Sequence, residues 1–339
     1  MRLSVSLGLW QDRPAAEALL TATAADELGY PEVWIGEMAT YDAFALATAV
    51  GLRTRRVALT IGPLAVAVRD PMMIAMGVAS VADLTGREVN VAVGTSSPLV
   101  VESWHGRSRA RAGRALREAV EVLRPLLDGE KPAFEGEVLR SRGYHLRLPA
   151  PRSSLTVAAF GPSAVRTAAR ADRMVLNLVT PASAARLVER LTDVAGTEAG
   201  PGTRTAAWVT TAVHPGVEAI DRIRRAVVGY LAAPGYGEMF AEAGFAEIVA
   251  FARTGPHPRE LMAAIPDELL HEVALLGDAE TVRKRLNGYA AAGVDEVALV
   301  PVSTEADPGG VASLEALAGL LPAPGEQAPP RRPPDEAGR

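Results

Sequence analysis

No cysteine occurs anywhere in the 339-residue chain. That absence removes disulfides, thiol catalysis, iron–sulfur ligation and the common zinc frameworks. A basic excess is missing too. The 35 Lys and Arg stand against 40 Asp and Glu, a formal net charge of −5, whereas a general nucleic-acid binder carries the opposite sign. No stretch reaches the roughly 20 unbroken apolar residues that a membrane-spanning helix needs. The N-terminal run Leu3 to Trp10 is apolar, but Gln11, Asp12, Arg13 and Pro14 end it, and no basic segment or small-residue cleavage site frames it. Histidines are few, and His145, His214, His257 and His271 show no metal-ligand spacing. Neither a Gly-x-Gly-x-x-Gly fingerprint nor a Walker loop is present. The expectation is a cytoplasmic protein acting on a small molecule, with no nucleic acid, membrane or metal as partner.

What is present is a globular balance, 48% hydrophobic and 22% charged, enough for a sizeable core. Short apolar runs alternate with helical ones. Strands are predicted at Leu3–Leu9, Glu32–Gly36, Val57–Ile61, Val89–Val93, Leu155–Phe160, Met174–Val179, Thr205–Val213 and Val297–Val300. Helices are predicted between them, including Asp42–Arg53, Pro71–Leu84, Arg109–Leu127, Pro162–Ala171 and Pro181–Val194. Asp12 and Asp278 read as N-caps, and Gly29 and Gly293 as helix stops. Lys131–Pro149 reads as a small hairpin, and 216–276 as helical stretches broken by Pro and Gly. A final short helix is predicted over Val311–Leu321.

Eight nearly continuous apolar strands lack the polar alternation of a half-exposed sheet. They predict parallel strands buried on both faces, an α/β fold of the (β/α)8 barrel type over residues 1–321. A doubly wound open sheet is the alternative. The Pro-rich polar stretch 322–339 is expected to be disordered.

In such a barrel the chemistry stands at the C-terminal strand ends. These read Gly8-Leu9-Trp10-Gln11, Gly36-Glu37-Met38, Gly62-Pro63-Leu64, Gly94-Thr95-Ser96-Ser97 and Phe160-Gly161-Pro162-Ser163, with Asn177 at the sixth. Small residues dominate, which suits a large flat ligand held by backbone amides. After the fourth strand come Trp104, His105 and Arg107, then Arg109, Arg111 and Arg114. On a continuous helix Arg107, Arg111 and Arg114 would share one face. That face reads either as an anion site or as a solvated surface paired with Glu118 and Glu121.

Several segments together resemble the bacterial luciferase-like superfamily: Glu27-Leu28-Gly29-Tyr30 with Val33-Trp34-Ile35-Gly36-Glu37, Arg69-Asp70-Pro71 through Gly86-Arg87, and Gly161-Pro162-Ser163-Ala164. The order and spacing are most similar to the branch using the deazaflavin F420, which includes methylenetetrahydromethanopterin reductase. The resemblance implies F420 as cofactor, with FMN as the alternative, and a homodimer. It implies a cis bond at Gly62–Pro63, on a bulge that backs the cofactor ring; proline is the residue at which cis costs least. It implies a phosphate site at Gly94, Thr95, Ser96, Gly161, Pro162 and Ser163, where a helix start favours an anion, and a basic face including Arg107 for the tail.

Their places at the strand ends and in the loop after the fourth strand put Trp10, Glu37, Trp104 and His105 on the substrate side, with Glu37 or His105 as proton donor. Met38 and Ser97 stand where the F420-dependent glucose-6-phosphate dehydrogenases carry their catalytic histidine and glutamate, so sugar-phosphate oxidation is not expected. The implied activity is hydride exchange with an unsaturated or alcohol-type organic substrate. An FMN-dependent monooxygenase and a non-catalytic cofactor-binding relative are the alternatives.

Overall fold

The computed structural model describes residues 1–7, 13–197 and 202–321. Its strands are β1 Arg2–Ser6, β2 Glu32–Ile35, β3 Ala58–Ala65, β4 Val89–Gly94, β5 Phe134–Glu135, β6 Arg140–Ser141, β7 Leu155–Ala158, β8 Arg173–Asn177, β9 Arg204–Val213, β10 Ala274–Gly277 and β11 Glu296–Pro301. Parallel pairing runs β9-β11-β1-β2-β3-β4-β7-β8 and returns to β9, so eight strands close into a barrel. Register partners such as Trp34 with Thr60, Ala92 with Thr156 and Ala298 with Trp208 align the layers inside. β5 and β6 form the small antiparallel hairpin.

The helices are α1 Ala15–Leu28, α2 Ala43–Arg53, α3 Pro71–Thr85, α4 Ala112–Leu127, α5 Pro162–Ala168, α6 Pro181–Thr197, α7 Val217–Leu231, α8 Tyr236–Phe240, α9 Ala246–Arg253, α10 Pro258–Ala264, α11 Asp267–Val273, α12 Ala279–Ala291 and α13 Val311–Ala318. Asp42, Asp70 and Asp278 each accept backbone N–H bonds at a helix start, satisfying donors that have no intrahelical partner. Gly29 closes α1 in the left-handed conformation, φ 88°. No helix among the described residues is long and apolar enough to cross a membrane.

Strand residues alternate between two environments. Leu3, Val5, Val33, Ile35, Leu59, Ile61, Val91 and Val93 point out against the helices and are buried. Each such side chain contributes about 1.5–3 kcal/mol by leaving water. Ser4, Ser6, Trp34, Thr60, Ala92, Thr156 and Trp208 belong to the buried barrel interior.

At the N-terminal ends of the strands that interior carries charge. Arg173, 1% exposed, bonds Glu32 and Glu296, and Arg2 reaches the same two carboxylates. Two cations and two anions balance, as a buried set must. The Arg173 guanidinium lies 4.1 Å over the Trp34 ring, and Trp34 meets Trp208 edge-on at 5.7 Å.

All eight predicted barrel strands are present, with shifted ends. β1 stops at Ser6, and Leu9 and the Asp12 cap lie outside the described residues. β3 does not end at Ile61 but continues through Pro63 to Ala65. β10 falls in a region expected to be helical. It extends the β9 edge beyond the end of β8, pairing Ala274 with Thr210 and Gly277 with Val213; four apolar residues directly after a helix give no period by which to separate them from it. The predicted tail, 322–339, also lies outside the described residues.

Candidate active site

The mouth of the barrel has two unlike halves. On one side β3 bulges: Ile61 pairs with Val91 and Leu64 with Val93, so Gly62 and Pro63 together oppose Ala92 alone. The Gly62–Pro63 bond is cis. Gly62 has φ 120°, and a Cβ there would lie 2.1 Å from the Ala92 carbonyl oxygen, so no other residue fits. A Cβ on Gly94 would sit 3.1 Å from Cβ of Ala158 and 3.8 Å from Cβ of Pro63. Pro63, Gly94 and Ala158 thus form one low floor, with Gly62 beside Pro63, so Gly62, Pro63 and Gly94, all singled out from sequence, come together there.

Beside that floor β4 runs into Thr95 and Ser96, the latter at φ 55°, and then a single wide turn over Leu99–Trp104 held by buried Val100 and Val101. Arg109 folds back onto this turn. Its Nη2 donates to the Ser96 carbonyl at 2.6 Å and lies 3.5 Å from Thr95 Oγ1. Its Nε is buried without a hydrogen-bond partner. An unmet charged donor costs free energy that an anion would recover. The same connection packs Gly113 against α5, where an added Cβ would meet Ser163 Oγ at 2.6 Å. Gly161 and Pro162 open α5 and are exposed, as is Ser163.

The expected basic helix face is not formed. α4 begins only at Ala112, so Arg107 lies in the preceding loop, exposed. Arg111 and Arg114 both pair with Glu137 of the hairpin. Glu118 is not their partner either: it is buried and accepts the backbone N–H bonds of Glu137, Val138 and Leu139. The break at Ser108 to Arg111 defeats the i, i+4, i+7 argument, since that spacing holds only on an unbroken helix. Arg109, not Arg107, is the arginine that reaches the β4 turn.

Glu37, at the end of β2, is committed to its surroundings. Arg69 Nε donates to one of its oxygens at 2.7 Å and Nη2 to the other at 2.5 Å. The Ala43 N–H also donates to it, at 3.1 Å. Arg69 further pairs with Asp42 and lies 5.1 Å over the Phe44 ring. Burial alone would raise the Asp42 carboxyl, but the Ala45 N–H and the Arg69 guanidinium outweigh it and hold it below its ordinary value. Trp104, 44% exposed, and His105 stand on the tip of the β4 connection. His105 makes no side-chain hydrogen bond among the described residues, and Trp10 lies outside them.

The other half of the mouth is a cavity of about 470 Å³ bounded by the ends of β1, β8, β9 and β11 and by α1 and α7. Its walls include Leu7, Leu178, Trp208, Ile223 and Val300. Asn177 lines it and is hydrogen-bonded to Tyr236, whose phenol is pushed up by burial. Tyr236 stacks at 4.6 Å on Phe160 and 4.9 Å on Tyr230. Sequence reasoning singled out Asn177 but missed Trp208 and Tyr230. Trp208 carried a signal, a bulky ring among Ala206, Ala207 and Val209. Among the described residues no cluster of side chains could hold a metal ion.

Comparison with known proteins agrees with this architecture. A family model described as luciferase-like monooxygenase matches residues 4–296. A Mycobacterium tuberculosis protein provisionally named a coenzyme F420-dependent oxidoreductase is 25% identical, over 90% of this chain and 96% of its own. The 5,10-methylenetetrahydromethanopterin reductase of Archaeoglobus fulgidus is 21% identical over 80% and 86%. Among solved structures, the coenzyme F420-dependent tetrahydromethanopterin reductase of Methanopyrus kandleri superposes with a TM-score of 0.81 over 95% of this chain and 99% of that one, at 17% identity. With the strand-three bulge, the barrel and a match across most of its length, the chain belongs to the luciferase-like monooxygenase family.

Proposed function

We propose that this protein is an F420-dependent oxidoreductase acting on a small organic substrate. The observation that carries the cofactor assignment is the buried, unpartnered Nε of Arg109 beside the Thr95–Ser96 turn. It asks for an anion next to a floor where a Cβ at Gly62 would collide with the Ala92 carbonyl and one at Gly94 would crowd Ala158. The residues present therefore fit a flat ring system with a phosphate. Thr95, Ser96, Arg109, Gly161, Pro162 and Ser163 would hold the phosphate, and Gly62, Pro63 and Gly94 the ring. Arg107, exposed nearby, would face the acidic tail. The relatives named for F420 dependence support this choice over FMN.

F420 supplies hydride chemistry when bound. The protein's part is positional. Pro63, Gly94 and Ala158 fix a plane, Trp104 covers it against water, and His105 offers an imidazole within the same loop for proton transfer. Glu37 keeps the loops after β2 and β3 in place through Arg69. On family resemblance, residues 1–321 are taken as one catalytic unit and the protein as a cytoplasmic homodimer.

Calorimetric titration with F420 and FMN tests the assignment. F420 binds more tightly, and Arg109→Gln weakens it by about tenfold or more, the loss of a charged hydrogen bond. Equal or stronger binding of FMN overturns the reading.

A further inference from the structure

The cavity between α1, α7 and the ends of β1, β8, β9 and β11 has mainly apolar walls, with Ser6, Asn177 and Thr210 set among them, and a charged rim. Its interior is lined by Leu7, Leu178, Ile223 and Val300. The charged residues that line it are Arg13, Glu17, Arg222 and Arg225. Two of the three arginines are neutralised. Arg13 grips Glu17 with Nε at 2.8 Å and Nη2 at 2.7 Å. Arg222 donates to Glu218 at 2.9 Å. Arg225, exposed on α7 one turn before Gly229, makes no hydrogen bond or ion pair among the described residues.

An apolar chamber with one uncompensated guanidinium at its edge selects its occupant. A hydrocarbon would fill the walls and leave the charge unused, and a sugar would leave the walls wet. A carboxylate matches the planar guanidinium with two parallel N–H bonds, while its alkyl or ring body displaces water from the walls. We propose that this cavity takes an apolar organic acid, with its hydrocarbon body inside and its carboxylate on Arg225. The volume, about 470 Å³, is in the range of small-molecule sites. The assignment rests on the oxidoreductase reading only in calling this acid the substrate; its ligand chemistry comes from the cavity itself.

Calorimetry on the full chain at low ionic strength, with octanoate and its neutral isostere octanamide as probes, tests it. Wild-type protein binds octanoate about tenfold more tightly, as a charge-assisted pair at a partly exposed site should. Arg225→Gln, a surface change, binds the two probes alike. Gly229→Leu adds a side chain where a Cβ meets nothing within 4 Å, at a cavity-lining helical position, and weakens both probes together. Equal affinity in the wild type, a preference that survives Arg225→Gln, or no octanoate binding overturns the proposal. F420 titration of the same samples separates the two readings: an octanoate preference without F420 binding removes the cofactor assignment and leaves the cavity assignment standing.

Discussion

Arg69 holds both carboxylate oxygens of Glu37, Nε at 2.7 Å and Nη2 at 2.5 Å. The pair ties the loop after β2 to the loop after the β3 bulge, and the Ala43 N–H bond ties Glu37 to the start of α2 as well. A carboxylate engaged in this way anchors a cation. Both its oxygens are taken up by these bonds, although its strand-end position alone made it a donor candidate.

Glu37→Gln is therefore expected to keep turnover within a few fold and to leave the pH profile of kcat unchanged. It removes an ion pair that is about four-fifths shielded from water and should cost about 1–2 kcal/mol of stability. Thermal melting and steady-state kinetics read the two effects separately. A kcat loss of about 10²-fold or more with normal folding would return Glu37 to the chemistry.

With Glu37 anchored, His105 is the donor candidate. It is exposed at the end of the wide turn after β4, where barrel loops build active sites. His105→Ala should lower kcat by roughly 10²–10⁴-fold if it supplies general acid–base help. F420 affinity should hold, because the assigned phosphate contacts lie on Thr95, Ser96, Arg109 and Ser163. Wild-type turnover would end the assignment.

The fold was legible because parallel barrel strands are short, apolar and regularly spaced by helices, and helix caps such as Asp42, Asp70 and Asp278 are local. Strand ends were less so: β3 passes through Pro63 by bulging, a tertiary accommodation to β4. The site was half legible. Gly62, Pro63 and Gly94 declare themselves because a floor needs residues without bulk. The contacts of Arg109 and the pairing of Arg111 and Arg114 with Glu137 depend on where α4 starts, and no period in the sequence marks that point. The cavity was missed because its wall gathers Leu7, Leu178, Trp208 and Val300 from four distant strands.

Two glycines on the floor should respond differently to alanine. At Gly62 the new Cβ would stand 2.1 Å from the Ala92 carbonyl at φ 120°. Backbone must move, so Gly62→Ala should lose roughly 3 kcal/mol or more. At Gly94 the nearest atom is Ala158 Cβ at 3.1 Å, a crowding that a few tenths of an ångström relieves. Gly94→Ala should fold with a loss of about 1 kcal/mol and mainly weaken F420. Denaturant melts with F420 titrations distinguish them; comparable stability loss in both would sink the distinction.

The charge set at the bottom of the barrel predicts how the protein fails in acid. Burial alone would raise Glu296, but Arg173 and Arg2 outweigh it and hold its carboxyl at about 2, against an ordinary 4.5. Arg173 Nη1 lies 2.8 Å from Glu296, and Ser4 donates to it at 2.6 Å. A carboxyl depressed in the folded state takes up its proton at higher pH when unfolded. Its stabilisation is therefore complete above about pH 4.5 and is lost as pH falls toward 2, on the order of 3 kcal/mol in all. Other carboxylates, Asp26 and Asp42 among them, are also held low, so the difference between variants isolates this one. Glu296→Gln should cost roughly 3–5 kcal/mol at neutral pH, because it leaves Arg173 buried with one carboxylate fewer. Between pH 4.5 and 2 its stability should fall less steeply than that of the wild type. Urea melts across that range measure both slopes, and parallel slopes would show that Glu296 does not carry the acid limb.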